Sequence, residues 1–189
     1  MTNKELITIY LIRHGEASAS WDKDRDPGLS PKGKSQSEIL SKELFPKVPQ
    51  DIRVFSSPLL RAKETAIPLL KKINSKLEIN NSFREIPSPG LSLDKRKKWL
   101  KKLFDKRINE LKGPQLHWYN EIIETIKLIE EDTIVFTHFM VINCLVSFIN
   151  KTQSFVTFYP DNCSVLEIEK SSDKIFIKEF GNELPTIVR

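Results

Sequence analysis

Arg13 and His14 stand side by side at the end of an apolar run, Ile7 to Ile12, and Gly15 follows them. Three other runs end in comparable chemistry. IRVFSS ends in Ser56 and Ser57, with Arg61 about one turn into the next segment. KLEIN is followed by Arg84 and Glu85, and TIVFTH ends in Thr137 and His138. Two histidines, two or three arginines and one carboxylate suit a phosphoryl group. Its oxygens accept the planar, bidentate donors of guanidinium. Its phosphorus can be attacked by a neutral imidazole, giving a phosphohistidine that water later hydrolyses. Fixed cations and backbone N–H groups stabilise the charge that spreads over the equatorial oxygens. A nearby carboxylic acid can protonate the leaving oxygen.

Two rivals use the same residue types. A metal site needs three or four His, Cys, Asp or Glu ligands, and neighbouring arginines would repel the cation. A serine hydrolase has no GxSxG elbow here, although Ser–His pairs occur without one. Neither rival explains the arginines. The third histidine, His117, lies beside Trp118 and Tyr119 and reads as packing.

These residues need a scaffold that brings the ends of separate runs together. Ile7 to Ile12 is nearly continuous in apolar, β-branched residues, the signature of a strand buried on both faces. Ser30 is a candidate N-cap with Pro31 at the first helical position. That helix is expected to reach about Phe45, with Ile39, Leu40 and Leu44 inward and Pro46 as the stop. LLRAKETAIPLLKKI predicts a second helix, kinked or restarted near Pro68. After KLEIN comes the irregular FREIPSPGLSL. Helices are then expected in LDKRKKWLKKLFDKRINEL, in LHWYNEIIETIKLIEED with Ile122, Ile126 and Ile129 inward, and in FMVINCLVSFI. CSVLEIEK and KIFIKEF predict a closing hairpin across SSD. Alternating strands and helices imply an α/β, three-layer fold with a mostly parallel central sheet and helices on both faces. Ligands in such sheets bind beyond the carboxyl ends of the strands, where the chemistry-bearing residues fall.

The chain has 189 residues and a formal net charge of +5, which is compatible with an anionic substrate and too mild for a dedicated nucleic-acid binder. One domain spanning 1–189 is expected. Cys144 and Cys163 form no CxxC pair and read as buried free thiols in a reducing compartment. No signal-like or membrane-spanning apolar run is evident, so a cytoplasmic protein without membrane or nucleic-acid partners is expected. The N-x-S/T triplets at Asn80, Asn150 and Asn162 are then chance matches. The oligomeric state is left open.

LIRHGEA, SSPLLRAKETA, REI and VFTHFMVIN, in that order from about Ile7, together with PDNCSV, resemble the sequence blocks of the histidine phosphatase superfamily, also called phosphoglycerate mutase-like, and its small bacterial members. The resemblance implies His14 as the nucleophile and Arg13 and Arg61 as phosphoryl clamps. It implies His138 as a second phosphate-binding histidine, cationic when substrate is bound, and Glu85 as the general acid. It also implies that no cofactor or metal is needed and that Gly15 lets the backbone turn without a Cβ obstructing His14. Many members have glycine after the second histidine and asparagine near position 20. Phe139 and Ser20 stand at those places here, leaving the Phe139 backbone N–H and Ser20 as candidate phosphate contacts. IPSPGLSL replaces a frequent G-x-W-x-G tail.

In this superfamily the segment after the acid often caps the site, so a small helical cap insertion is expected over about 86–115. Its basic helix reads either as an amphipathic helix with a solvated lysine face or as a cationic cap that attracts polyanions. The expected substrate is a small phosphorylated metabolite. The alternatives are a phosphohistidine-bearing protein, a mutase reaction, less favoured because the cap segment is short, and a non-catalytic phosphate-binding module.

Overall fold

The computed structural model describes residues 6–20 and 22–184. Strand β1 (Ile7–Arg13) is followed by α1 (Pro31–Leu44), β2 (Arg53–Ser56), α2 (Leu60–Leu70), β3 (Leu77–Ile79), α3 (Leu93–Phe104), α4 (Gly113–Lys127), β4 (Thr133–Thr137), α5 (Phe139–Ile149), β5 (Val165–Lys170) and β6 (Ile175–Glu179). The six strands form one sheet in the order β3-β2-β4-β1-β5-β6. The first four run parallel, and the hairpin β5–β6 is antiparallel along the β1 edge.

Successive strand residues point to opposite faces, and the two faces carry separate cores. Ile9, Leu11, Phe55 and Val135 point toward α4 and α5, where Trp118, Ile122, Met140 and Leu145 cover them. Their neighbours Ile12, Val54, Ile134 and Phe136 point toward Leu40, Leu44, Ala62, Ala66 and Leu69 of α1 and α2. The continuous apolar runs therefore reflect burial on both sides.

Local chemistry sets most boundaries. Ser30 caps α1 by accepting from the Gly33 N–H at 3.0 Å. Of the three residues expected to face inward, Leu40 and Leu44 are buried and Ile39 is 55% exposed. Pro68 does not break α2; it lies in the last turn, where few helical bonds remain downstream to disturb. The basic helix stops at Phe104 rather than continuing to Leu111, because the chain leaves it to pair elsewhere. The Ile108 N–H donates to the Gln153 carbonyl and the Phe155 N–H to the Lys106 carbonyl, at 2.8 and 3.1 Å.

α1 docks directly on the backbone that follows His14. The Ser30 N–H donates to the Glu16 carbonyl at 2.9 Å. A Cβ at Gly15 would lie 2.7 Å from the Gly33 carbonyl oxygen, and one at Gly33 only 2.1 Å from the Glu16 carbonyl oxygen. Gly15 is thus required by the close approach of α1. Gly33→Ala is expected to destabilise the protein by roughly 1–3 kcal/mol, lowering Tm by roughly 2–12 °C in a thermal melt; an unchanged Tm would contradict this packing.

Candidate active site

The parallel strands deliver their last residues to one rim. Arg13 is in register with Thr137 and Ser56 with Phe136. The ladder continues one residue further, because the His14 N–H donates to the Thr137 carbonyl at 3.0 Å and the Ser57 N–H to the Phe136 carbonyl at 2.9 Å. His14, Ser57 and His138 are thereby placed side by side.

His14 is only 8% exposed. Its Nδ1–H donates to the Gly15 carbonyl at 2.7 Å, and its Nε2 accepts from Arg61 Nε–H at 3.0 Å. A carbonyl can only accept and a guanidinium can only donate, so the ring is the neutral Nδ1–H tautomer. Burial, then the charges of Arg61 and Arg13, hold it well below the usual histidine range. Arg61, on the first turn of α2, is buried too. Thr65, one turn later, donates to the Arg61 carbonyl at 2.7 Å and accepts from the Gly15 N–H at 3.0 Å. Asp26 Oδ1 accepts from the Leu60 N–H at 2.7 Å and lies 4.0 Å from Arg61 Nη1.

His138 is fully buried at the N-terminus of α5. Its ring meets that of His14 edge-on, with centroids 5.1 Å apart, and its Nε2 is 2.7 Å from Ser57 Oγ. Burial, then Arg61, His14 and Arg13, keep this ring neutral as well. Arg13 donates from Nη1 to the Pro160 carbonyl at 2.7 Å, and its guanidinium lies 5.6 Å from the Phe139 ring centroid. Three buried nitrogens of the site, Arg13 Nε, Arg61 Nη1 and His138 Nδ1, have no hydrogen-bond partner among the described residues.

Glu85 accepts from the Ile86 N–H at 2.9 Å and is also stabilised by the Met140 N–H at the start of α5. Burial nevertheless raises its pKa above the ordinary 4.5, outweighing those amides and the two arginines. Glu85, Arg13, His14, Arg61, Phe139 and Ser20 line one cavity of about 390 Å³. Ser20 is exposed at its edge. The Phe139 amide belongs to the first turn of α5, where N–H groups lack helical partners. Its side chain stacks on Phe104 of α3, with centroids 5.3 Å apart and a 16° interplanar angle.

Sequence reasoning missed several supports. Asn162 Nδ2 donates to the His14 carbonyl at 3.0 Å, and the Cys163 N–H donates to the Arg13 carbonyl at 3.0 Å from a backbone at φ 61°. Asn143, buried in α5, accepts from the Thr157 and Phe158 N–H groups, both at 3.0 Å, and so anchors the segment leading to Pro160. An asparagine inside the otherwise apolar FMVINCLVSFI was the available signal. Cys144 is buried and Cys163 only partly so; both are free thiols. Among the described residues, no group of three His, Cys, Asp or Glu is placed to hold a metal ion, and no helix is long and apolar enough to cross a membrane.

The family model of the histidine phosphatase superfamily (branch 1) matches residues 9–183; the chain belongs to that superfamily. No curated protein matches the sequence. Among solved structures, a mycobacterial glucosyl-3-phosphoglycerate phosphatase is similar at TM-score 0.74 and 15% identity, covering 94% of this chain and 99% of that one. A phosphoglycerate mutase from Bacillus anthracis is similar at TM-score 0.70 and 20% identity, over 96% and 95% of the two chains. A phosphoserine phosphatase from Entamoeba histolytica, solved with 3-phosphoglyceric acid, gives 0.72 and 16%, over 93% and 97%. At these identities the likeness is one of fold.

The two neutral histidines make stability depend on pH. Below the ordinary histidine value of 6.5 the unfolded chain binds protons that the folded chain refuses. Stability is therefore greatest above that value and falls as pH drops through it. Tm should decline between about pH 7 and about pH 5, and His14→Gln/His138→Gln should flatten that decline; equal slopes for both proteins would contradict the neutral assignment.

Proposed function

We propose that the protein hydrolyses a phosphomonoester through a phosphohistidine on His14. The observation that carries this reading is the set of three buried nitrogens on Arg13, Arg61 and His138, without hydrogen-bond partners among the described residues, around a neutral imidazole. Leaving buried donors unpaired costs about 1–3 kcal/mol each, and a phosphoryl group would satisfy them together.

The substrate's phosphoryl oxygens take the hydrogen bonds of Arg13 and Arg61, and Arg61 Nε turns from His14 Nε2 to an oxygen. The freed Nε2 lone pair attacks phosphorus while the bond to the leaving oxygen breaks. The Gly15 carbonyl stabilises the charge that develops at Nδ1–H. Glu85, whose protonated form burial favours, gives its proton to the leaving oxygen. Its carboxylate then takes a proton from water, the hydroxide attacks phosphorus, and the N–P bond breaks. Neutral His14, protonated Glu85 and inorganic phosphate result.

Ser57 Oγ already accepts from the Leu59 N–H at 3.2 Å, so its own proton is free to go to His138 Nε2. That leaves Nδ1–H to donate to phosphate, and the phosphate dianion favours a protonated ring. No cofactor enters this sequence. Segment 86–115 acts as a cap within one domain in this reading, the substrate is a small phosphorylated metabolite or phosphoprotein, and the reaction takes place in the cytoplasm.

Acid quenching is unsuitable for trapping the intermediate, because phosphohistidine is acid-labile. Alkaline denaturation during turnover should recover a base-stable phosphoryl group on the LIRHGEAS peptide. His14→Ala should lose both label and turnover; retention of wild-type activity would refute the covalent route.

Glu85→Gln separates the acid from the clamp. Turnover of alkyl phosphates should fall by roughly 10²–10⁴-fold, with a much smaller loss on p-nitrophenyl phosphate, whose leaving group needs no proton. The pH profile carries the same information. Activity is lost at low pH as His14 is protonated below its ordinary range and at higher pH as Glu85 ionises above its ordinary value. The upper limb should vanish in Glu85→Gln. Equal losses on both esters would assign Glu85 to phosphate binding instead.

A further inference from the structure

Two cavities meet at Glu85, and they differ in chemistry. The one above His14 has a wall formed by Leu100 and Phe104 of α3, Phe139 and Met140 of α5, and Tyr159. The rings make a connected set. Phe104 stacks on Phe139, and Tyr159 meets them edge-on, 5.8 Å from Phe139 and 6.5 Å from Phe104 between centroids. Two polar groups on the same rim are already engaged. Glu16 accepts from Ser30 Oγ at 2.7 Å and pairs with Lys32 at 3.2 Å. The Asn162 amide nitrogen is bonded to the His14 carbonyl. The proposed reaction spends Arg13, His14, Arg61 and Glu85 on phosphate and leaving oxygen, which leaves the hydroxyls of Ser20 and Tyr159 and the Asn162 amide oxygen as the other polar groups of this lining.

The orientation of α3 sharpens the contrast. Lys97, Lys98, Lys101 and Lys102 are exposed, whereas Leu100 and Phe104 face the cavity. The basic helix thus turns its apolar stripe, rather than these four lysines, toward the cavity above His14. Sugar hydroxyls set against this wall would lose water and find few partners beyond the Tyr159 hydroxyl, a cost that an apolar group does not incur.

We infer that the leaving group is an apolar alcohol, seated against Phe104, Phe139 and Tyr159 while its phosphate is held by the arginines. This rests on the phosphatase reading and narrows its substrate class. The competing direction is the second cavity, of about 680 Å³, which Glu85 also lines and which carries Arg25, Arg84 and Arg96. A leaving group with a second anion would run there instead.

Three monoesters of comparable leaving-group basicity decide between these directions: benzyl phosphate, glycerol 1-phosphate and 3-phosphoglycerate. Benzyl phosphate should exceed glycerol 1-phosphate in kcat/KM by about tenfold, from apolar burial and ring contact together. Tyr159→Ser should cut that ratio severalfold; Tyr159 is 46% exposed, so its loss leaves the fold intact. Phe104→Leu should lower the ratio in the same direction. Equal rates on benzyl and glycerol esters, a ratio unmoved by Tyr159→Ser, or preference for 3-phosphoglycerate would each overturn the inference. p-Nitrophenyl phosphate separates the two levels. If it is hydrolysed and benzyl phosphate is not preferred, only the leaving-group assignment fails. If it and all three esters are untouched, the phosphatase reading fails and this inference falls with it.

Discussion

As the proposed nucleophile, His14 has to remain uncharged with its Nε2 lone pair turned outward, although two guanidinium groups flank it. The arginines help with the first need, since their charge and the surrounding burial disfavour a further proton. The Gly15 carbonyl meets the second by fixing the proton on Nδ1. The cations that would hold a phosphoryl group thus also keep the imidazole nucleophilic. Removing the hydrogen bond at Nδ1 would free the tautomer, and removing either charge would let the ring titrate nearer its ordinary value.

Much of the architecture serves to hold that arrangement still. β1 lies in the sheet between β4 and β5, so its last residue is pinned from both sides: Arg13 pairs with Thr137 of β4 and with the carbonyl of Ser164, one residue before β5. Behind the rim, α1 presses its glycine onto the Gly15–Glu16 backbone, and Thr65 ties the Gly15 N–H to the same turn of α2 that supplies Arg61. Each support is a backbone or short side-chain contact, and such contacts position groups more tightly than long charged chains do.

The parts legible in the sequence were those with local signatures. Continuous apolar runs gave the buried strands, Ser30–Pro31 marked a helix start, and the RHG, Arg61, REI and TH positions marked the strand ends. Less legible were features that depend on contacts across the chain. Ile39 fits the apolar pattern of α1 yet is exposed, because the helix rests on Leu40 and Leu44 instead. The basic helix ends early because residues 106–108 pair with 153–155, which no local pattern announces. Gly15 was readable as essential, but its reason lies in Gly33, eighteen positions away and carried on another element. Asp26, Thr65 and Asn162 act through one or two polar contacts from loops or helix faces, and their types are common at such places.

Phe139 sits between two partners of different kinds: the Arg13 guanidinium near its ring and Phe104 of α3 stacked against it. One aromatic side chain therefore mechanically links the helix over the cavity to an arginine beside His14. In evolutionary terms this makes the two non-independent. Substitutions on α3 that retune the cavity would also disturb Arg13, so changes in selectivity would be epistatic with the residues of the rim. A lineage with glycine at this position would lack the link and could exchange its covering helix more freely.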